Sequence, residues 1–376
     1  MSNRRDDEFE DNRKRSGNGK RPVKRRRKNK KKAIALFIVE IVILLILIFV
    51  VFTLFGKIGV DKVGKVNLNE QQIIEEMNEG VAENETLEGY TNIALFGVDS
   101  RDGELDKNTR SDSIIIASIN NATSEIKLLS VYRDTYLNLG NDSYNKCNAA
   151  YAKGGPDQAI SMLNKNLDLD ITDFVTIGFR GLKDVVDEVG GVTITVEENE
   201  ITHLNNYQST MAEEMGITYT PVTTAGTQTL DGLQATAYCR IRYTAGDDFK
   251  RAERQRTVLM AILEKAQGAS LSELTDIASK VFEETYTSLD LTEDIIPLLS
   301  RITTYTVVAN DGFPNSEMRT TGNMGDAGSS VIPVTLVSNV EWLHEFLFED
   351  STYTVSSDIQ EYSDKIDADK LEYLGE

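Results

Sequence analysis

Three short stretches of this 376-residue chain concentrate arginine and aspartate where apolar segments end. The first, GVDSRDGE followed by TRSDS, holds Asp99, Arg101, Arg110 and Asp112. The second, SVYRDTY, holds Arg133 and Asp134, and the third, YCRIRYTAGDDFKRAERQR (238–256), packs six cations and three acids into nineteen positions. Guanidinium groups grip phosphate oxygens through paired N–H donors, so several converging arginines suit an oligo-anion such as a pyrophosphate. Two carboxylates together with phosphate oxygens are the usual holders of Mg2+, which keeps part of its water shell. Asp99 and Asp112 each fall where an apolar strand meets a loop, which makes them the candidate metal pair, with Mg2+ expected or Mn2+ in its place.

The third stretch reads as a strand (238–243), a Gly-Asp-Asp loop and a helix running to about Lys265. On such a strand Arg240 and Arg242, two apart, share a face. On the helix Arg251 and Gln255, four apart, share a face that continues into Val258, Leu259 and Ile262. Polar groups then converge on a pocket whose far end is apolar. Clusters of Arg and Asp more often form solvated salt-bridge networks; the joint pattern, rather than any one motif, favours a pocket. Lys250, Arg254 and Arg256 stay open between pocket and surface. Other chemistries lack their residues. His203 and His344 are the two histidines, one in a polar excursion and one in a late amphipathic helix. No Ser-His-Asp or Cys-His arrangement, zinc spacing, Walker loop or GxGxxG loop is present.

The elements that must position these residues alternate between strand and helix. TNIALFGVDS, SDSIIIASIN and EIKLLSVYRD read as strands. GGPDQAISMLNKNLDLD reads as a helix started by Pro156, and FRGLKDVVDEVGG as a helix closed by Gly190 and Gly191 before the strand VTITVE. Residues 200–230 look polar and irregular, a surface excursion. Further helices and the strand TYTVVAND follow. The expected fold is α/β: a single external α/β(α) sandwich over 89–350, with a central mixed β-sheet flanked by helices. Residues 56–88 are expected as a stalk and 351–376 as an acidic, mobile tail.

Residues 1–32 carry fifteen Lys/Arg and five Asp/Glu, a net of +10 in a chain whose total is −20. Residues 33–55 are apolar apart from Glu40, long enough at about 1.5 Å per residue to cross a bilayer core. The expectation is one N-terminal transmembrane signal anchor in the cell membrane, single-pass, with a cytoplasmic N-terminus and an extracellular domain. A basic tail beside such a span argues for anionic membrane lipid as its partner and against nucleic acid. Two cysteines, Cys147 and Cys239, do not make a disulfide framework, though one bridge is permitted.

The segments NIALFGVDSR, RSDSIIIASIN, LLSVYRDTYL, KCNAAYAKGG, FRGLKDVVDEVGGV and LDGLQATAYCRIRYTAGDDFKRAERQRTVL resemble, in order, the motif set of the LytR-CpsA-Psr family. The resemblance covers residues 90–265 closely. It implies a phosphotransferase of Gram-positive-type cell envelopes that moves a glycopolymer, such as teichoic acid or capsular polysaccharide, from an undecaprenyl-pyrophosphate carrier onto peptidoglycan. A phosphodiester forms, Mg2+ assists, and the lipid tail sits in an apolar cleft between sheet and helices. Carried over by position, Asp99 and Asp112 hold metal, and Arg110, Arg133, Arg240, Arg242 and Arg251 bind pyrophosphate. Lys146 and Gln255 are further head-group contacts, and Asp99, Arg133, Arg240 and Arg242 form the catalytic set. Asp99, or secondarily Asp134, is the expected proton acceptor. Two departures stand out. Lys146-Cys147-Asn148-Ala149 replaces the Lys-Ile-Asn-His of many members, and Cys239 replaces an alanine. Both cysteines adjoin expected site residues, either bridged to each other or as separate buried thiols. The competing expectations are a polyprenyl-pyrophosphate phosphatase and a non-catalytic envelope-binding or regulatory protein; the oligomeric state stays open.

Overall fold

The computed structural model describes residue 68 and most of 70–375, leaving out 100–104, 107, 244–246 and parts of 271–295. Six strands form the central sheet: β1 (Tyr90–Val98), β2 (Ser111–Asn120), β3 (Glu125–Val131), β6 (Asp173–Gly178), β9 (Thr285–Thr287) and β10 (Thr306–Phe313). Their spatial order is β10-β3-β2-β1-β6-β9. β1 runs parallel to β6 and β10 parallel to β3, while the β1/β2, β2/β3 and β6/β9 pairs are antiparallel, so the sheet is mixed. Smaller two-stranded ribbons are β4 (Tyr136–Asn138) with β5 (Tyr144–Lys146), β7 (Val192–Val196) with β8 (Gly226–Leu230), and β11 (Arg319–Asn323) with β12 (Ser329–Pro333).

The run SIIIASI in β2 explains the layering. Alternate residues point to opposite faces of a strand. Ile114 and Ile116 join one apolar cluster, while Ile115, Ala117 and Ile119 join another. Both faces are therefore buried, which a two-sided apolar strand requires. On the first face lie α1 (Asn148–Leu167), α6 (Leu336–Phe348) and α7 (Ser357–Leu374). On the second lies α5 (Asp247–Gln267), through Leu259, Met260 and Leu263. A third cluster joins α2 (Phe179–Glu188), α3 (Glu198–Met215), α4 (Gly232–Arg240) and the β7/β8 ribbon to α5, around Val186, Leu204, Leu230 and Val258. Within α1, Gly155 at φ 68° interrupts the helix and Pro156 begins its main part, as the sequence suggested.

The α/β domain with a central mixed sheet and flanking helices stands; four other expectations change. Residues 198–215 form a helix, not an irregular excursion. A capping box between Glu197 and Glu200 starts it, and a narrow stripe including Leu204 and Met211 buries it. Residues 238–240 end a helix instead of opening a strand. Asp231 and Gln234 cap that helix reciprocally, and the local signal outweighs the strand-like look of YCRIRY. Residues 70–88 belong to the body, since Ile73, Val81 and Leu87 enter the first core cluster. From Ser357 the chain is helical and docked, with Ile359 and Ile366 buried, so most of its acids mark a solvent face, while Asp369 is buried and accepts from Tyr136.

The membrane part of the fold and location is also corrected. Among the described residues no helix is long and apolar enough to cross a membrane. The expected span, 33–55, lies outside the described residues, as do the basic tail and Arg101. Neither an anchor helix nor a single-pass topology is part of the described residues' architecture.

Candidate active site

Asp99 follows β1 and Asp112 lies on β2, and the pairing of Val98 with Ser111 brings both acids to one end of the sheet. Arg133 and Asp134 follow β3, which neighbours β2. Arg240 ends α4, Arg242 follows it, and the first turns of α5 present Asp248, Arg251 and Gln255. A cavity of about 390 Å3 opens between the sheet and α2, α3 and α5. Asp99, Asp112, Arg240, Arg242, Arg251 and Gln255 line its polar part, and residues including Leu95, Ile115, Val175, Leu182 and Val185 line the rest. Val258, Leu259 and Ile262 continue the Arg251–Gln255 face into this apolar interior, as the helical spacing predicted.

Ion pairs knit the polar part together. Arg133 Nη1 donates to Asp112 Oδ1. Arg242 Nε and Arg251 Nη1 lie 3.2 and 3.1 Å from Asp248 Oδ1, and Arg251 Nη2 donates to the Asp112 carbonyl at 3.3 Å. The Arg240 guanidinium stacks 4.2 Å from the Phe179 ring centroid and 5.3 Å from that of Tyr207. Burial pushes the pKa of Arg251 down to about 10, Asp248 opposing and Arg242 and Arg133 adding to the fall, so it remains a cation at neutral pH. Burial also works against the Arg133 cation, but Asp112, Asp134 and Asp248 outweigh it and raise its pKa.

Four of these arginine nitrogens are buried without a hydrogen-bond partner: Arg133 Nε, Arg240 Nη1, Arg242 Nη2 and Arg251 Nε. An unsatisfied buried donor costs about 1–3 kcal/mol. Such a set is tolerated where function demands it, and what it offers chemically is a cradle for anionic oxygens.

The expected site residues divide into three groups. Six of them meet at the cavity, as given above. Arg133 adjoins it through Asp112, and Lys146 is one step further out, its ammonium 3.1 Å from Asp134. Arg110 is exposed and lines neither this cavity nor the smaller one beside it. Burial favours the neutral form of Asp134, but Arg133 and Lys146 prevail and hold its pKa below the usual carboxylate range. That makes Asp134 a weak proton acceptor. Phe179 and Tyr207 carry no signal in the sequence, whereas Asp248 belongs to the Gly-Asp-Asp loop of the third cluster and only its pairing with Arg242 and Arg251 goes unread, though its i, i+3 spacing from Arg251 is a signal. Cys147 and Cys239 are both free and buried, so no bridge pins the Lys146 segment to Arg240. The Cys147 thiol donates to the Tyr132 carbonyl at 3.2 Å, while Cys239 lines the large cavity.

Among the described residues no group of three or more His, Cys, Asp or Glu gathers in a way that would hold a metal ion. Asp99 and Asp112 nevertheless supply two hard oxygen donors at an arginine-lined cavity. That donor set fits a Mg2+ completed by ligand phosphates and water, and does not fit a cation needing an all-protein cage.

The LytR_cpsA_psr family matches the chain over residues 58–334. The chain belongs to this family. Its matched region contains every expected site residue. Among curated relatives, the polyisoprenyl-teichoic acid–peptidoglycan teichoic acid transferase TagV of Bacillus subtilis is 34% identical over 191 residues, 50% of this chain and 46% of TagV. TagT of the same organism is 33% identical over 214 residues, 56% of this chain and 63% of TagT. The matched segment thus spans about half to two thirds of these relatives. Among solved structures, TagT bound to LI-WTA superposes with a TM-score of 0.56 at 25% identity, covering 72% of this chain and 96% of that one. Protein gbs0355 of Streptococcus agalactiae gives 0.59 at 27% identity, covering 75% and 95%.

Proposed function

We propose that the protein is a cell-envelope phosphotransferase that moves a glycopolymer, of the teichoic acid or capsular type, from a polyprenyl-pyrophosphate carrier onto peptidoglycan. The observation that carries this reading is that Arg240, Arg242 and Arg251, at the mouth of an apolar cavity, each keep a buried nitrogen without a hydrogen-bond partner. A pyrophosphate satisfies the donors, and a polyprenyl chain fills the apolar part. Family membership and the names of the relatives support the same chemistry.

In this reading Arg240, Arg242 and Arg251 bind the pyrophosphate oxygens, and Arg133 reaches the reacting phosphoryl from the side of Asp112. Phosphoryl transfer makes little new charge, so catalysis consists of orienting the reacting groups and spreading charge already present. Asp248 holds Arg242 and Arg251 in register. Phe179 and Tyr207 fix the plane of Arg240. Gln255 is a neutral head-group contact, while Lys146 acts by holding Asp134. Asp99 and Asp112 would hold Mg2+ or Mn2+, which when bound neutralises phosphate charge.

The test is incubation of the purified protein with a polyprenyl-pyrophosphate-linked glycan, with and without peptidoglycan oligomers. Acceptor-dependent appearance of the glycan on the oligomer is expected. Release of polyprenyl phosphate at one rate under both conditions would instead make the protein a phosphatase, and no turnover would leave a binding protein.

A further inference from the structure

A second, smaller cavity of about 160 Å3 adjoins the first. Asp112, Ser113, Arg251 and Gln255 line both, so these residues form a thin wall between two compartments. The chemistry of the two differs. The larger is mostly aliphatic beyond its mouth, whereas the smaller mixes apolar groups such as Ile114, Tyr132 and Phe249 with a higher share of hydroxyls and carboxylates, among them Ser130, Thr321, Ser329, Asp134, Asp247 and Asp248. Its outer side is the β11/β12 ribbon. Thr321 pairs with Val331, and Val331 N–H donates to the Asp134 carbonyl at 2.9 Å, which fixes the ribbon against the Arg133–Asp134 segment. Within the ribbon, Thr321, Ser329 and Val331 share one strand face.

We propose that this smaller cavity is the acceptor subsite, taking a hydroxyl-bearing sugar of a glycan strand. The inference rests on the transferase reading above. An in-line displacement puts the attacking and leaving oxygens on opposite sides of the phosphorus. The leaving polyprenyl phosphate belongs in the aliphatic cavity, so the phosphorus lies at the shared wall and the attacking oxygen arrives from the other compartment. A bond forms between the acceptor oxygen and the glycan-side phosphorus. The bond from that phosphorus to the bridging oxygen breaks, and its electron pair leaves with polyprenyl phosphate. The hydroxyl proton passes to a carboxylate of the acceptor cavity and from there to water. Four carboxylates line that cavity. Asp112 is tied to Arg133, Asp134 to Arg133 and Lys146, and Asp248 to Arg242 and Arg251. Asp247 has no ion pair among the described residues and is exposed, so it takes the proton. Asp99, which lines only the aliphatic cavity, lies on the leaving-group side.

Thr321 and Ser329 are exposed, so Thr321→Trp and Ser329→Trp each narrow the cavity from its outer side without opening the core. Each variant is checked for parent-like unfolding, then measured for the KM of a peptidoglycan oligomer and for the Kd of octaprenyl pyrophosphate. The expected result is an acceptor KM raised at least tenfold with the Kd within twofold of the parent. Asp247→Asn is expected to lower kcat at least tenfold while leaving acceptor KM in place. Folded tryptophan variants with the parent's acceptor KM overturn the subsite, and so does a Kd that worsens in step with KM, since the cavity would then serve the donor. A parent-like kcat in Asp247→Asn overturns the proton route. A parent protein that transfers nothing to the oligomer defeats the transferase reading itself, and the subsite falls with it.

Discussion

Arg254 Nε donates to Glu200 Oε1 at 2.7 Å, and both side chains are only 2% exposed. The pair locks α3 to α5. Arg254 Nη1 also donates at 3.1 Å to the carbonyl of Ile241, the residue between Arg240 and Arg242. One buried cation therefore positions the arginine segment without lining the cavity.

Breaking that pair from the acid side should cost far more than a surface ion pair. Glu200→Ala removes the carboxylate that pairs with a guanidinium in the core, and breaking a buried pair in this way typically costs about 3–5 kcal/mol. Urea unfolding of the variant should show a midpoint lowered to match. A loss under about 1 kcal/mol would mean the pair is solvated and holds nothing in place.

Arg251 is the cation most embedded in the wall between the two cavities, and its value lies in fork geometry as much as charge. Arg251→Ala should lower kcat/KM by about 10²–10³, the usual effect of removing one preorganised donor to a reacting anion. Arg251→Lys keeps a cation but loses paired N–H donors, and should recover less than half of that loss on a logarithmic scale. Full recovery by lysine would reduce Arg251 to a point charge.

His344 gives a pH dependence unconnected with catalysis. Its ring is buried against Tyr353, with centroids 3.5 Å apart, and Nε2 bonds the Leu167 carbonyl at 3.0 Å. Burial pushes its pKa down from 6.5 to about 4, partly offset by that carbonyl and Asp168. The unfolded chain therefore takes up the proton first as pH falls. The stabilising contribution is complete above pH 6.5 and is lost towards pH 4, about 3 kcal/mol in all. Urea unfolding at pH 7 and pH 4.5 should show parent stability falling by more than that of His344→Gln. Equal losses would show that the histidine is not buried neutral.

The periodicity of particular residues explains what the sequence disclosed and what it hid. The face Arg251, Gln255, Val258, Leu259, Ile262 was legible because one α-helix carries it, and helical spacing needs no tertiary information. Arg240 and Arg242 were placed at the site but on the wrong element. A strand and a helix C-terminus can both deliver two neighbouring arginines, and the deciding signal, the Asp231–Gln234 box, lies seven residues upstream of the cluster. Glu200–Arg254 and the ion pairs of Asp248 with Arg242 and Arg251 were hidden for another reason. Whether a charge is buried depends on what packs over it, and α3 comes from a stretch whose polar composition masked its thin apolar stripe.

The cysteines yield a chemical prediction. Cys147 and Cys239 sit in different clusters, both buried, and burial pushes each thiol upward, to about 12 for Cys239. Native protein at pH 8 should react with a thiol reagent at least tenfold more slowly than unfolded protein, which should show two thiols per chain without reductant. Non-reducing peptide mass spectrometry that finds Cys147 linked to Cys239 would contradict this.

Metal dependence separates the two acids of the cavity. Asp112 accepts from Arg133 as well as facing the cavity, whereas Asp99 has no ion pair among the described residues. If both hold Mg2+ with the ligand's phosphates, chelation should abolish transfer, and Mg2+ or Mn2+ should restore it. Asp99→Asn should raise the Mg2+ concentration for half-maximal rate at least tenfold, with a near-parent kcat at saturation, because only a donor oxygen's charge is lost. Asp112→Asn should also depress kcat at saturating metal, since Arg133 loses the carboxylate that aims it. Identical metal titrations for parent and Asp99→Asn would remove Asp99 from the metal site and leave the arginines to spread the charge alone.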